Sequence, residues 1–85
     1  MEEVAIGSVE KYFGKIGVAA IKITGGEVKV GDKIQIKGHS TDFEQAVESL
    51  QVEHQSVQKA GPGTDVGIKV KEKVHEKDTV YLVKA

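Results

Sequence analysis

The stretch Gly26-Glu27-Val28-Lys29-Val30-Gly31-Asp32-Lys33-Ile34-Gln35-Ile36-Lys37-Gly38 decides the fold class. Val28, Val30, Ile34 and Ile36 alternate with Lys and Gln, a period of two that sends one set of side chains inward and the other to water. The Gly31-Asp32 turn interrupts the run, and Gly31, between Val30 and Asp32, is expected to take a positive φ at little cost. The same order of glycine-acid turn and alternating strand returns at Gly61-Pro62-Gly63-Thr64-Asp65-Val66-Gly67-Ile68-Lys69-Val70.

Period two holds outward from there. Val4 and Ile6 share one parity while Val9 and Phe13 share the other, so a β-bulge is expected near Gly7-Ser8. Phe13 then points inward as a core plug, with Tyr12 covering it. A second strand runs from Val18 to Ile23 and ends at the Thr24-Gly25-Gly26-Glu27 turn. Beyond the polar loop Gly38 to Asp42, Phe43, Val47, Leu50 and Val52 mark a long fourth strand, whose change of parity calls for another bulge near Glu48-Ser49. Val66, Ile68 and Val70 form a fifth strand and Val80 to Val83 a sixth. Lys69 to Lys77 reads as a mixed-charge exposed strand and turn. The expected architecture is all-β: a single domain over residues 1–85, built as a small closed six-stranded antiparallel β-barrel. Closure removes edges that so many Val and Ile residues would make adhesive. Ile21, Ile34, Ile36, Leu50, Val52, Ile68 and Val70 are expected to fill the interior, so that any ligand sits outside.

Composition narrows the function. A chain of 85 residues buries only about 60–65% of its unfolded surface, enough for one modest core. There is no cysteine, and the formal net charge is −1, which argues against nucleic-acid binding through a global positive field. All 12 basic residues are lysine, so only point-charge phosphate contacts are open to it. The longest apolar stretch, Ile16 to Ile21, is far too short to span a membrane, and a cytoplasmic location is expected.

Catalytic constellations are sparse. His39, His54 and His75 sit in separate segments without the close spacing that metal ligands on one element use. No Gly-x-Ser-x-Gly surrounds any serine, and no Gly-Lys-Ser or Gly-Lys-Thr follows a glycine-rich loop. The expectation is a non-enzyme with no cofactor, no metal and no GTP. The loop Tyr12 to Val18 is the most suggestive surface: Tyr12 and Phe13 offer aromatic area, Lys15 a cation, and Gly14 and Gly17 close backbone approach, a minimal set for stacking on RNA.

The two glycine-acid stretches resemble the second, β-barrel domain of the translational GTPases, the family of elongation factor Tu and initiation factor two, while Phe13-Gly14-Lys15-Ile16-Gly17-Val18-Ala19-Ala20-Ile21 and Ile36-Lys37-Gly38-His39-Ser40-Thr41-Asp42-Phe43 look like small stand-alone translation-elongation-factor-like proteins. The resemblance runs from about Ile6 to Val83. Within it the chain looks closest to small stand-alone translation-elongation-factor-like proteins and to the C-terminal barrel of collagenase-type peptidase-family proteins, some of which are associated with tRNA modification. In elongation factor Tu this domain helps to hold the aminoacylated adenosine of tRNA. It uses the loop between its first two strands and a later strand, where Gln51 stands in place of an acid and His54 in place of an arginine. The resemblance therefore implies a non-catalytic binding module of protein biosynthesis that contacts RNA, the ribosome or an RNA-modifying enzyme. Its candidate contacts are Tyr12, Lys15, Gly17, Gln51 and His54, and its partners tRNA, ribosomal RNA or a protein encoded nearby. The alternative it implies is a protein-protein adaptor or an accessory barrel for a peptidase-family enzyme.

Overall fold

The computed structural model describes residues 2–53 and 55–84. The described chain is all-β: β1 (Glu2–Phe13), β2 (Val18–Ile23), β3 (Val28–Lys29), β4 (Lys33–Lys37), β5 (Asp42–Ala46), β6 (Leu50–Val52), β7 (Gln55–Val57), β8 (Lys59–Ala60), β9 (Asp65–Lys69) and β10 (Thr79–Lys84). Eight strands form one sheet in the order β5-β4-β10-β1-β2-β9-β6-β7, and β3 pairs with β8 in a separate ribbon. No helix among the described residues is long and apolar enough to cross a membrane.

The expected closed six-stranded barrel is not what forms. The sheet ends at β5 on one side and β7 on the other, and no ladder joins them among the described residues. It is nevertheless strongly curled, because Ala46 and Leu50 lie four residues apart and so within about 14 Å, yet β5 and β6 sit near opposite ends of the sheet. The expected long fourth strand is thus two strands, and the parity change between buried Val47 and buried Leu50 comes from a break at 47–49 instead of a bulge. The gap this leaves is bridged by single bonds. The Gln45 amide donates to the Lys69 carbonyl (2.8 Å) and accepts from the Lys71 N–H (2.9 Å). Val47 N–H donates to Asp32 O, and Val47 O accepts from Gly31 N–H, both at 2.8 Å, which carries the β4–β5 pairing past Lys33 and Ala46 up to the break.

β1 carries two register shifts. Against β10 the ladder skips Ile6, between Ala5 and Gly7; against β2 it skips Glu10, between Val9 and Lys11. The first is the bulge expected near Gly7-Ser8, and it lets both Ile6 and Val9 face the core. The second reverses parity once more, so that Tyr12 opposes buried Ala19 and Phe13 opposes Val18. Tyr12 therefore packs against the core while Phe13 is 41% exposed. This corrects the expectation of Phe13 as the plug. Gly7 sits at the crossing, where a Cβ would collide with the Lys22 carbonyl.

Ile6, Ile21, Ile23, Ile34, Ile36, Leu50 and Ile68 are almost completely buried. Val52 is only half-buried against them, a short correction to the expected interior. Val74 is another: it is 1% exposed, so the segment after β9 sends one apolar side chain inward from among its charges. Among the described residues these side chains form one buried cluster.

Two measurements check this frame. Gly31 has φ +99° and a Cβ there would meet nothing within 4 Å, so Gly31→Val is penalised by backbone strain alone. The expected loss is about 1–3 kcal/mol, read as a lower urea midpoint; an unchanged midpoint contradicts it. Tyr12→Ala should cost about 2 kcal/mol or more and Phe13→Ala less than about 1 kcal/mol, and the reverse order would restore Phe13 as the plug.

Candidate functional site

On the outer face of the sheet, the side chains of three neighbouring strands are short where they meet. Residues alternate along β2 and β9, so Ala19, Ile21, Val66 and Ile68 point inward and Val18, Ala20 and Gly67 are left outside. The register sets Ala20 opposite Gly67, and Gly67 opposite Gln51 of β6. Ala20 and Gly67 make a low floor, with Gln51 at its border. The β1–β2 turn rises over one end, bringing Phe13 and Ile16, the latter 64% exposed. The result is an open cleft of about 310 Å³ lined by Phe13, Ile16, Val18, Ala20, Val66 and Gly67, with Gln51, Glu53 and Asp65 along its rim.

The rim is acidic. Glu53 holds a left-handed conformation with φ +51°, in the turn after β6. Asp65 lies across the ladder from Lys22 and beside Glu10. Hydrogen bonding to the Asp65 carboxyl is the main influence that pushes the Glu10 pKa above the usual carboxylate range; partial burial and repulsion add to it, and Lys22 opposes it. Lys11 is engaged with Phe13, its ammonium 5.2 Å from the ring centroid.

The residues expected to bind are only partly brought together. Gln51 is exposed and lies on the cleft rim. Gly17 shapes the turn beside it, with φ +67°. Tyr12 faces the core, and Lys15 is exposed at the turn but does not line the cleft. His54 lies outside the described residues. Of the set expected to stack on RNA, Phe13 and Lys15 are therefore outward and Tyr12 is turned to the core, while the charges lining the cleft are carboxylates. Ile16, Ala20, Glu53, Asp65 and Gly67 were not singled out from sequence. The signal for them was available in the small outward residues Ala20 and Gly67 between inward Val and Ile neighbours.

A second hollow, about 400 Å³, lies where the start of β1, the Gly25-Gly26 turn and the end of β10 meet. Within its lining, Asp32 Oδ2 accepts from Lys29 N–H at 2.9 Å. One hydroxyl, imidazole and carboxylate also converge. Thr41 Oγ1 is 3.1 Å from His75 Nδ1, and the same nitrogen is 3.9 Å from Asp78 Oδ2. A nucleophilic triad needs the two ring nitrogens to face different partners, so this arrangement is a structural knot. Asp78, 4% exposed, accepts from His75 N–H (2.8 Å), and its carbonyl accepts from Val9 N–H (2.8 Å). Among the described residues no three of the His, Asp and Glu side chains gather as metal ligands would.

No protein-family model matches the chain. Over 81 residues, 94% of the chain, it is 41% identical to a collagenase of Porphyromonas gingivalis, of which it covers 20%. Over 83 residues, 96% of the chain, it is 39% identical to an uncharacterized protease of Methanocaldococcus jannaschii, of which it also covers 20%. The chain thus spans about a fifth of the length of these curated relatives. Among solved structures, the C-terminal domain of a putative U32 peptidase from Geobacillus thermoleovorans matches with TM-score 0.86 at 24% identity, over 96% of this chain and 93% of that one. These comparisons overturn the translation-elongation-factor identification, with its domain II assignment and its place in protein biosynthesis, and the RNA-binding character drawn from it loses its basis. The chain's homologues are collagenase-type peptidases, and its fold is that of a U32 peptidase C-terminal domain.

Proposed function

We propose that the chain is a non-catalytic accessory module that works with a collagenase-type peptidase. One observation carries this reading: similarity covers nearly all of this chain but only a fifth of each peptidase. The shared unit is thus a small all-β domain, and the larger remainder of the relatives is free to hold the hydrolytic groups. The site geometry supports the same division. An open, largely apolar cleft suits a weak or transient contact, whereas peptide hydrolysis needs a nucleophile or activated water held against an acid-base partner.

The test is to assay the purified chain on gelatin and a fluorogenic peptide library, alone and mixed with a collagenase-type peptidase from the same source, and to follow the mixture by size-exclusion chromatography. The chain alone should give no turnover. The mixture should co-elute and shift the peptidase KM by about threefold or more with kcat little changed, as expected when only substrate binding is altered. Turnover by the chain alone would contradict the module reading, and so would separate elution with unchanged kinetics.

A further inference from the structure

We infer that the cleft over β2, β9 and β6 docks a protein segment presenting apolar side chains flanked by lysine or arginine. This deepens the accessory-module reading and rests on it, since it names the surface and the chemistry of the partner.

Three features on the outer face lead there. Phe13 and Ile16 are held out on a turn, 41% and 64% exposed, and each would gain from burial at about 25 cal/mol per Å² of apolar surface. The floor beside them is low because Ala20 and Gly67 carry almost no side chain, leaving about 310 Å³, room for one or two partner side chains. The charged side chains lining the cleft, among the described residues, are Glu53 and Asp65. Of the nearby lysines none lines the cleft: Lys11 lies over the Phe13 ring, Lys22 stands across the ladder from Asp65, and Lys15 is exposed at the turn.

Charge complementarity selects the occupant. Glu10 and Asp65 compete for one stretch of surface, and Glu53 adds a third carboxylate, so a cation arriving from the partner relieves repulsion that the free module bears. A phosphate chain laid in the same trough would pass those carboxylates at the cost of further repulsion, with no arginine anywhere in the sequence to receive it. An apolar peptide with acidic flanks meets the same obstacle. The apolar floor supplies adhesion, and the rim supplies the sign.

The experiment is an NMR titration of the ¹⁵N-labelled chain with two synthetic nonapeptides of identical Leu and Phe content, one flanked by Lys and one by Glu, and with a single-stranded oligoribonucleotide. The Lys-flanked peptide should shift amides of residues 13–18 and 65–67 and bind about tenfold more tightly than its Glu-flanked counterpart, a difference that 0.5 M salt should largely remove. Asp65→Lys should abolish or invert the preference. Gly67→Val should weaken both peptides about tenfold by filling the floor. Its Cβ would lie 3.4 Å from Val18 Cγ1 and 3.9 Å from Gln51 Cβ, contacts of ordinary length, and an unchanged Tm, for this variant or for the smaller Gly67→Ala, shows that the fold is kept. Equal binding of the two peptides, shifts centred elsewhere, or shifts from the oligoribonucleotide alone would overturn the inference. Co-elution with the peptidase that survives both Asp65→Lys and Gly67→Val would defeat this site while leaving the accessory reading intact. Charge-selective peptide binding without co-elution would do the opposite.

Discussion

Everything in this fold depends on β1 serving two neighbours that need different registers. Its first half pairs with β10 and its second half with β2, and a straight twelve-residue strand could not keep Val4, Ile6, Val9 and Tyr12 in workable positions against both. The two skipped residues, Ile6 and Glu10, solve this by bending and twisting the strand, as bulges do. Gly7 makes the crossing possible, since any side chain there would meet the Lys22 carbonyl. The bend curls the sheet, and the second skip turns Phe13 out. Core closure and the candidate site are thus two results of one backbone feature.

The curl stops short of a closed ladder, and discrete polar contacts hold what repeating pairs would otherwise hold. Gln45 reaches across to the backbone at Lys69 and Lys71. Each such bond contributes about 0.5–1.5 kcal/mol net, so the seam is held more weakly than the ladders beside it. With the interior occupied by isoleucine and valine, the outer face is where this domain can differ functionally from others of its shape.

The strand content was legible in the sequence because alternation of Val and Ile with Lys, Gln and Thr leaves no helical solution. The first bulge was legible as well, since Ile6 and Val9 cannot both be buried without one. The second was not: Glu10 sits between Val9 and Lys11 without breaking any apolar pattern, and Tyr12 and Phe13 are equally plausible plugs until the register is known. Closure was misjudged because Val47 and Leu50 differ in parity, which a bulge and a strand break both satisfy. Only the pairing partners tell them apart. Of the site, the turn and Gln51 were found from sequence. The acidic rim was not, because Glu53 and Asp65 are distant in the chain and meet only through the β6–β9 pairing.

Of the two resemblances carried by the sequence, the homologues support the one to the collagenase-type peptidase C-terminal domain and not the one to translation factors. The most direct test of the account is side-chain paramagnetic relaxation in the free chain with a neutral soluble gadolinium chelate. The account predicts strong broadening of the Phe13 ring and Ile16 methyl signals, with the Tyr12 ring attenuated less and the Ile21 and Ile68 methyls spared. Protection of Phe13 together with exposure of Tyr12 would show that β1 lacks its second register shift, and the cleft would go with it.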